Sequence, residues 1–230
     1  MLSNRLENNR KIYFLLNQIY HFLFSEKFSK KIKFDFDKRD RITFIRQIIK
    51  RKKYSEYLEI GCHNNEVFDK IDINKIGVDP ISGGNVRGTS DDFFKMNKKS
   101  FDCIFIDGLH EYKQVKKDVL NSLKFLNKNG IIILHDCLPP SISHQRVPRT
   151  RYTWNGDVWK AIVELRTWDH VDTYTVLADQ GLGIVLNQSN TNKLRLDFPS
   201  FDKLKYQFFF ENYKLIMRTI SYDESLKILS

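Results

Sequence analysis

Four short apolar runs, each closing on a carboxylate, a glycine or a histidine, constrain this chain more than any other feature. Tyr57-Leu58-Glu59-Ile60 runs into Gly61, Lys75-Ile76-Gly77-Val78 into Asp79, Cys103-Ile104-Phe105-Ile106 into Asp107, and Ile131-Ile132-Ile133-Leu134 into His135-Asp136. Near-continuous apolar runs of this length suit strands buried on both faces, and polar residues at their C-terminal ends are what an open parallel sheet presents where ligands bind. Between the last two runs, Glu111 to Leu126 carries Val115, Val119, Leu120, Leu123 and Leu126 at helical spacing, with Asn129-Gly130 as the stop. Strand, helix and strand in that order predict a right-handed crossover.

Downstream, Thr173 to Leu177, Ala178-Asp179-Gln180-Gly181 and Leu182 to Leu186 read as strand, turn and strand, adding an antiparallel edge. The segment from Pro139-Pro140 to Thr153 is rich in Ser, His, Arg and Pro and has too little periodicity for a buried element, so a mobile loop over the site is expected. Upstream, Ile12, Leu15, Leu16, Ile19 and Leu23 recur at helical spacing before Lys27, Lys30, Lys31 and Lys33. That helix is expected to dock on the domain or on a second subunit of a homodimer, with a membrane-surface role as the alternative. A second helical stretch spans Arg41 to Arg51, and the aromatic, basic tail from Phe201 to Leu229 reads as one or two helices. The expected organisation is a basic helical extension over 1–53, an α/β core over 54–190 and a helical tail over 191–230. The core is a Rossmann-like, doubly wound mixed sheet.

Hydrophobic residues at 41% and charged residues at 29% describe a soluble globular chain and argue against collagen-like, disordered or multi-spanning membrane classes. The longest apolar stretch, Ile12 to Phe24, is interrupted by Asn17, Gln18 and His21 and falls short of the roughly 20 residues that span a bilayer. It lacks a small-residue cleavage site, so neither a transmembrane segment nor a signal peptide is expected. Cys62, Cys103 and Cys137 are an odd, widely spaced set without a Cys-x-x-Cys pair, which suggests neither disulfides nor a cysteine zinc site and fits a reducing cytoplasm. Lys and Arg number 38 against 28 Asp and Glu, a net +10 that raises nucleic acid, anionic membranes and phosphorylated substrates as partners.

The strand ends taken together are similar to a known family. Glu59-Ile60-Gly61, Asp79, Ile106-Asp107-Gly108-Leu109-His110 and Leu134-His135-Asp136 resemble the class I S-adenosylmethionine-dependent methyltransferases. They resemble in particular the small-molecule and sugar O-methyltransferases with Asp-Gly-x-His and His-Asp at the fourth and fifth strand ends. The resemblance covers roughly Tyr54 to Leu186. It implies seven strands in the order 3-2-1-4-5-7-6 and contact of Asp91 with adenine. It also implies a small-molecule or glycan-precursor substrate. The glycine-rich loop usual in that family reads Gly61-Cys62-His63-Asn64-Asn65 here, with one glycine.

The residue chemistry runs in parallel. Asp79 follows Glu59 by 20 residues, the separation at which a carboxylate reaches a ribose diol; the alternative is a helix cap. Gly61 allows close backbone approach, and Glu59 either orients that loop or meets the cofactor's amino group. Removing a proton from an acceptor hydroxyl requires a base, for which His110, with an ordinary pKa near 6.5, is the first choice and His135 the second, with Asp107 between them. Each histidine has a structural alternative: His110 capping the next helix or bonding Asp107, and His135 orienting Asp136. Asp107 and Asp136 end neighbouring strands and can converge on Mg2+ or Mn2+, with His110 or His135 completing the set; Cys137 stands where metal-dependent relatives often place a third ligand. Arg146, Arg149 and Arg151 either bind a phosphate or carboxylate on an anionic substrate or form a solvated basic loop. Trp154 and Trp159 either wall the substrate or pack the core.

Two other functions fit the same fold. A nucleic-acid methyltransferase is motivated by the +10 charge, although the fourth strand lacks the Asn/Asp-Pro-Pro-Tyr/Phe signature of base amino methylation. A non-catalytic binding module is motivated by the depleted glycine loop.

Overall fold

A computed structural model describes residues 2–196 and 198–229, with side chains from Asn9 onward. Eight strands form one sheet: β1 (Glu56–Ile60), β2 (Asn74–Asp79), β3 (Val86–Arg87), β4 (Phe101–Ile106), β5 (Leu126–Leu134), β6 (Asp172–Val176), β7 (Leu182–Leu186) and β8 (Thr219–Ile220). Their spatial order is 3-2-1-4-5-7-6-8, with β7 antiparallel to both β5 and β6 and the other pairs parallel. The expected order of seven is present, and the tail adds an eighth strand beside β6. Thr219 and Ile220 continue the sheet because Thr175 and Val176 leave a pairing edge there.

The helices are α1 (Leu2–Phe24), α2 (Arg41–Lys52), α3 (Ser90–Met96), α4 (Tyr112–Lys124), α5 (Ile142–Gln145), α6 (Trp159–Leu165), α7 (Tyr206–Met217) and α8 (Tyr222–Ile228). Strand alternation divides the core into two layers. Leu58, Ile60, Ile104, Ile106, Ile132 and Leu134 pack against α4, α6 and α7 on one face. Tyr57, Cys103, Phe105, Ile131 and Ile133 meet Phe44, Ile45 and Ile48 of α2 and Tyr222 and Leu226 of α8 on the other. The chain on either side of the 54–190 segment therefore covers this face together with Val67, Phe68 and Ile71 from within it. Local chemistry fixes these helices: Asp40 accepts the Thr43 N–H at the start of α2, and Ser221 and Glu224 form a reciprocal capping box on α8.

One local expectation is corrected. The helix before β5 ends at Lys124, and Asn129-Gly130 lies inside β5, where Asn129 takes a positive φ of 65° beside a register shift against β4. The left-handed residue bends a long strand and does not end the helix. Between β1 and β2 only a single 3-10 turn, Phe68–Lys70, stands where a helix is usual.

Register brings the polar ends level. Ile60 pairs with Val78 and with Ile106, and Ile106 with Leu134, so Gly61, Asp79, Asp107 and His135 emerge along one edge. Among the described residues no helix is long and apolar enough to cross a membrane. α1 docks its inner face, including Phe14 and His21, while Leu16, Phe22 and Phe24 on its other side are 60% to 74% exposed.

Candidate active site

The strand ends border a cavity of about 810 Å3 lined by Glu59, Gly61, Asp79, Asp91, Asp107 and His110. Gly61 has φ +88°, and a side chain there would meet the Asp107 carbonyl at 2.4 Å, so β1 and β4 can approach only through glycine. Asp79 accepts the N–H groups of Ile81 and Ser82 on Oδ1 and of His63 on Oδ2. Burial opposes its ionisation, but these backbone donors hold its carboxyl below the ordinary value. It therefore shapes the turn after β2 and lines the cavity. Glu59 is buried and accepts from the Tyr57 hydroxyl at 2.7 Å; burial, outweighing that bond, pushes it up to about 7. Asp91, in the first turn of α3, is engaged by Lys117 and Gln114, in a cluster with Ser90 and Asp118.

At the β4 and β5 ends the carboxylates are balanced by imidazoles. His110 reaches Asp136 Oδ2 through Nδ1 at 3.0 Å and Asp107 Oδ1 through Nε2 at 3.3 Å. Burial works against its charge, yet the two carboxylates prevail and push it up to about 10, far from the 6.5 expected of a ready base. His135 sits behind this pair, 5% exposed, with Nδ1 at 3.1 Å from Asp107 and Nε2 at 3.4 Å from Asp179. It does not line the cavity, and its contacts orient Asp107. Asp107 lies well below the usual carboxylate range, because the two histidines overcome its burial. Ligand atoms of Asp107, His110 and Asp136 all lie within 4.8 Å of one another. Cys137 is buried with its thiol against the carbonyls of Leu134 and His135, and it is not in that cluster.

The segment after Pro139 is packed, which corrects the expectation of a mobile loop without buried residues. Ser141, Ile142 and Thr150 are buried, and Asn17, Gln18 and His21 of α1 bond the carbonyls of Arg149, Thr150 and Pro148. Trp154 stacks on His110 with ring centroids 5.3 Å apart, and its indole N–H donates to the Arg146 carbonyl. Trp159, by contrast, is fully buried in the core. Gly156, at φ +62°, lies so close to the His110 carbonyl that no side chain fits.

Residues 42–137 match the methyltransferase domain family. That match spans less than half of the chain. No curated protein matches the sequence. Solved structures with the same fold include a Staphylococcus aureus protein provisionally assigned as a caffeoyl-CoA O-methyltransferase, at 17% identity and TM-score 0.50, covering 81% of this chain and all of that one. A Klebsiella pneumoniae protein provisionally assigned as an O-methyltransferase shares 12% identity at TM-score 0.52, covering 79% of this chain and 90% of its own. The Podospora anserina methyltransferase PaMTH1, solved with S-adenosylhomocysteine, shares 15% identity at TM-score 0.51 over 65% and 78% of the two chains.

Three residues of this cleft were not singled out from the sequence. Asn155 donates from Nδ2 to Asp136 Oδ1 at 3.0 Å, fixing the carboxylate whose backbone is itself held at φ 60°. Asp179 bridges His135 and the α2 residue Arg41, whose Nη1 lies 3.1 Å away. Arg41 also reaches Glu66 and lines the cavity. A turn aspartate and a helix-start arginine carry no local sign of that role; the contacts span more than 130 residues.

Proposed function

We propose that the chain is an S-adenosylmethionine-dependent O-methyltransferase acting on a hydroxyl of a small molecule or glycan precursor. The observation that carries this reading is the cluster of Asp107, His110 and Asp136, the first two of which line a cavity together with Glu59, Gly61 and Asp79. The cavity residues suit the cofactor. Asp79 keeps an acceptor for a ribose diol, Glu59 faces the site for an amino group, and Asp91 with Gln114 borders the far end. The donor set of two carboxylates and an imidazole suits a divalent cation such as Mg2+ or Mn2+. Such an ion, when bound, lowers the pKa of an acceptor hydroxyl and holds its oxygen.

Methyl transfer is an in-line displacement at the sulfonium, so the chain's task is to orient the acceptor and take its proton. Asp107 and Asp136 are held by His135 and Asn155 in one geometry before any ligand arrives. His110 lies between Asp107 and Asp136, and His135 shares both carboxylates with it. A cation held by those carboxylates would disfavour the imidazolium. His110 would then be the third ligand or the acceptor of the hydroxyl proton, with its ring fixed by Trp154. His135, enclosed between Asp107 and Asp179, keeps its proton and orients Asp107.

Titration calorimetry with S-adenosylhomocysteine tests the cofactor reading. Saturable binding is expected, weakened about tenfold or more by Asp79→Ala, the loss of a charge-assisted hydrogen-bond pair. No saturable heat from a folded sample overturns it. For the cation, Mn2+ binding followed by paramagnetic resonance should disappear in Asp136→Ala, and methyl transfer that survives exhaustive chelation would exclude an essential ion.

A further inference from the structure

Three guanidinium groups beside the cleft have no carboxylate partner among the described residues. Arg146 makes no side-chain hydrogen bond there, and its Nε is buried and unpaired. Arg151 donates from Nη1 to Ser143 Oγ at 3.1 Å, and its Nε is also buried and unpaired. Arg149 lies over the rings of Phe14 and Trp154, at 5.5 and 5.6 Å from their centroids. Elsewhere, Arg39, Arg41 and Arg218 each pair with an aspartate. Burying an arginine Nε without an acceptor is unfavourable in the free protein, and a ligand that supplies the acceptor removes that penalty.

Two of these groups, Arg146 and Arg151, line a groove of about 490 Å3 together with Ser143, Thr150, Gln18 and Tyr152. Tyr152 also lines the methyltransferase cavity, together with Arg149 and Trp154, so the two spaces share a wall. The surroundings register the unbalanced charge. Burial, then Arg151 and Lys31, push His144 down to about 4. His21 is lowered by burial, with Arg146 adding to the shift against the Pro148 carbonyl. The backbone that carries the arginines is already positioned by the three bonds from α1, so an anion would meet a fixed arrangement.

We propose that this groove holds a phosphate group carried by the acceptor, so that the enzyme methylates phosphorylated small molecules. Guanidinium forks match phosphate oxygens in pairs, and the Ser143 and Thr150 hydroxyls can donate to the remaining ones. Two uncompensated cations in the groove, Arg146 and Arg151, match a phosphate dianion better than a single carboxylate. The proposal rests on the O-methyltransferase reading for the neighbouring site, and the two can be separated.

The test is calorimetry on the full chain with inorganic pyrophosphate as probe, with S-adenosylhomocysteine titrated separately. One-to-one pyrophosphate binding is expected, weakened about tenfold or more in Arg146→Gln/Arg151→Gln, while S-adenosylhomocysteine affinity stays within about twofold. Lys98→Gln/Lys99→Gln, which alters exposed charge remote from the groove, should leave pyrophosphate affinity unchanged. If the double arginine variant fails to fold, Arg146→Lys and Arg151→Lys keep the charge and remove the fork; each should weaken pyrophosphate about threefold or more. Pyrophosphate affinity unchanged in the arginine variants, or lost equally in the lysine pair, reduces the effect to general charge and overturns the subsite. A chain that binds S-adenosylhomocysteine and not pyrophosphate also overturns it. One that binds pyrophosphate and not S-adenosylhomocysteine upholds the groove and overturns the methyltransferase reading.

Discussion

The two sides of the cleft carry opposite charge and differ in how that charge is balanced. On the sheet edge, Asp107, Asp136 and Asp179 are matched by His110, His135 and Arg41, each carboxylate touching at least one cation. On the segment over it, Arg146, Arg149 and Arg151 meet aromatic rings and a hydroxyl, and no acid among the described residues. The first side is paired without a ligand. The second is incomplete without one. The cleft is thus an acidic floor under a basic roof, and the three roof arginines account for only part of the net +10.

The floor should break most severely. Asp136→Ala strips one partner from both imidazoles and leaves buried positive charge. A loss of about 3 to 5 kcal/mol in urea denaturation is expected, together with loss of Mn2+ binding. If stability falls by less than about 1 kcal/mol, the floor is not the tightly coupled network described.

Gly156→Ala tests how the roof is fastened to the floor. Its positive φ and its closeness to the His110 carbonyl leave no room for a methyl group, so about 2 to 4 kcal/mol of destabilisation is expected. Tryptophan fluorescence should change with it, since Trp154 would leave its stack on His110. A variant with wild-type melting and fluorescence would show that roof and floor are not locked at this point.

The third expectation concerns pH. Glu59 titrates at 4.5 in its ordinary state and at about 7 here, because burial disfavours its charge. Between those values the folded chain binds more protons than the unfolded one, so this group's contribution to stability falls as pH rises from about 4.5 to about 7 and is level above. The full difference is on the order of 3 kcal/mol. Glu59→Gln should flatten that part of the stability profile and be the more stable form at pH 8, while weakening S-adenosylhomocysteine. An unchanged profile would place Glu59 in a wetter site than its contacts indicate.

The smallest effect belongs to the roof. Arg149→Ala removes two cation–π contacts from a partly exposed side chain, worth about 0.5 to 1 kcal/mol in thermal unfolding. A loss several times larger would mean that Arg149 holds the roof in place as well as charging it.

The sheet edge was readable because its signal is local and periodic. An apolar run buried on both faces and closed by a polar residue specifies a parallel strand and where its ligands lie, which is how Glu59, Asp79, Asp107 and Asp136 could be assigned to one edge before register was known. Asn129-Gly130 misled because a left-handed residue serves equally as a helix stop or as a bend within a strand. The roof was not readable. Its order comes from Asn17, Gln18 and His21, more than 120 residues away in the chain, which no window of the sequence reveals.

What the sequence by itself determined is the strand set, the order of its polar ends and the residue types available for chemistry, because burial and turn preference act over a few residues at a time. The tertiary structure decided what those residues are. It set His110 between two carboxylates that raise its pKa, sent His135 behind Asp107, and enlisted Asn155, Asp179 and Arg41. It also left Arg146 and Arg151 beside the cleft with buried, unpaired nitrogens. Protonation and pairing depend on which charges meet across the fold, and that is settled only when distant segments pack.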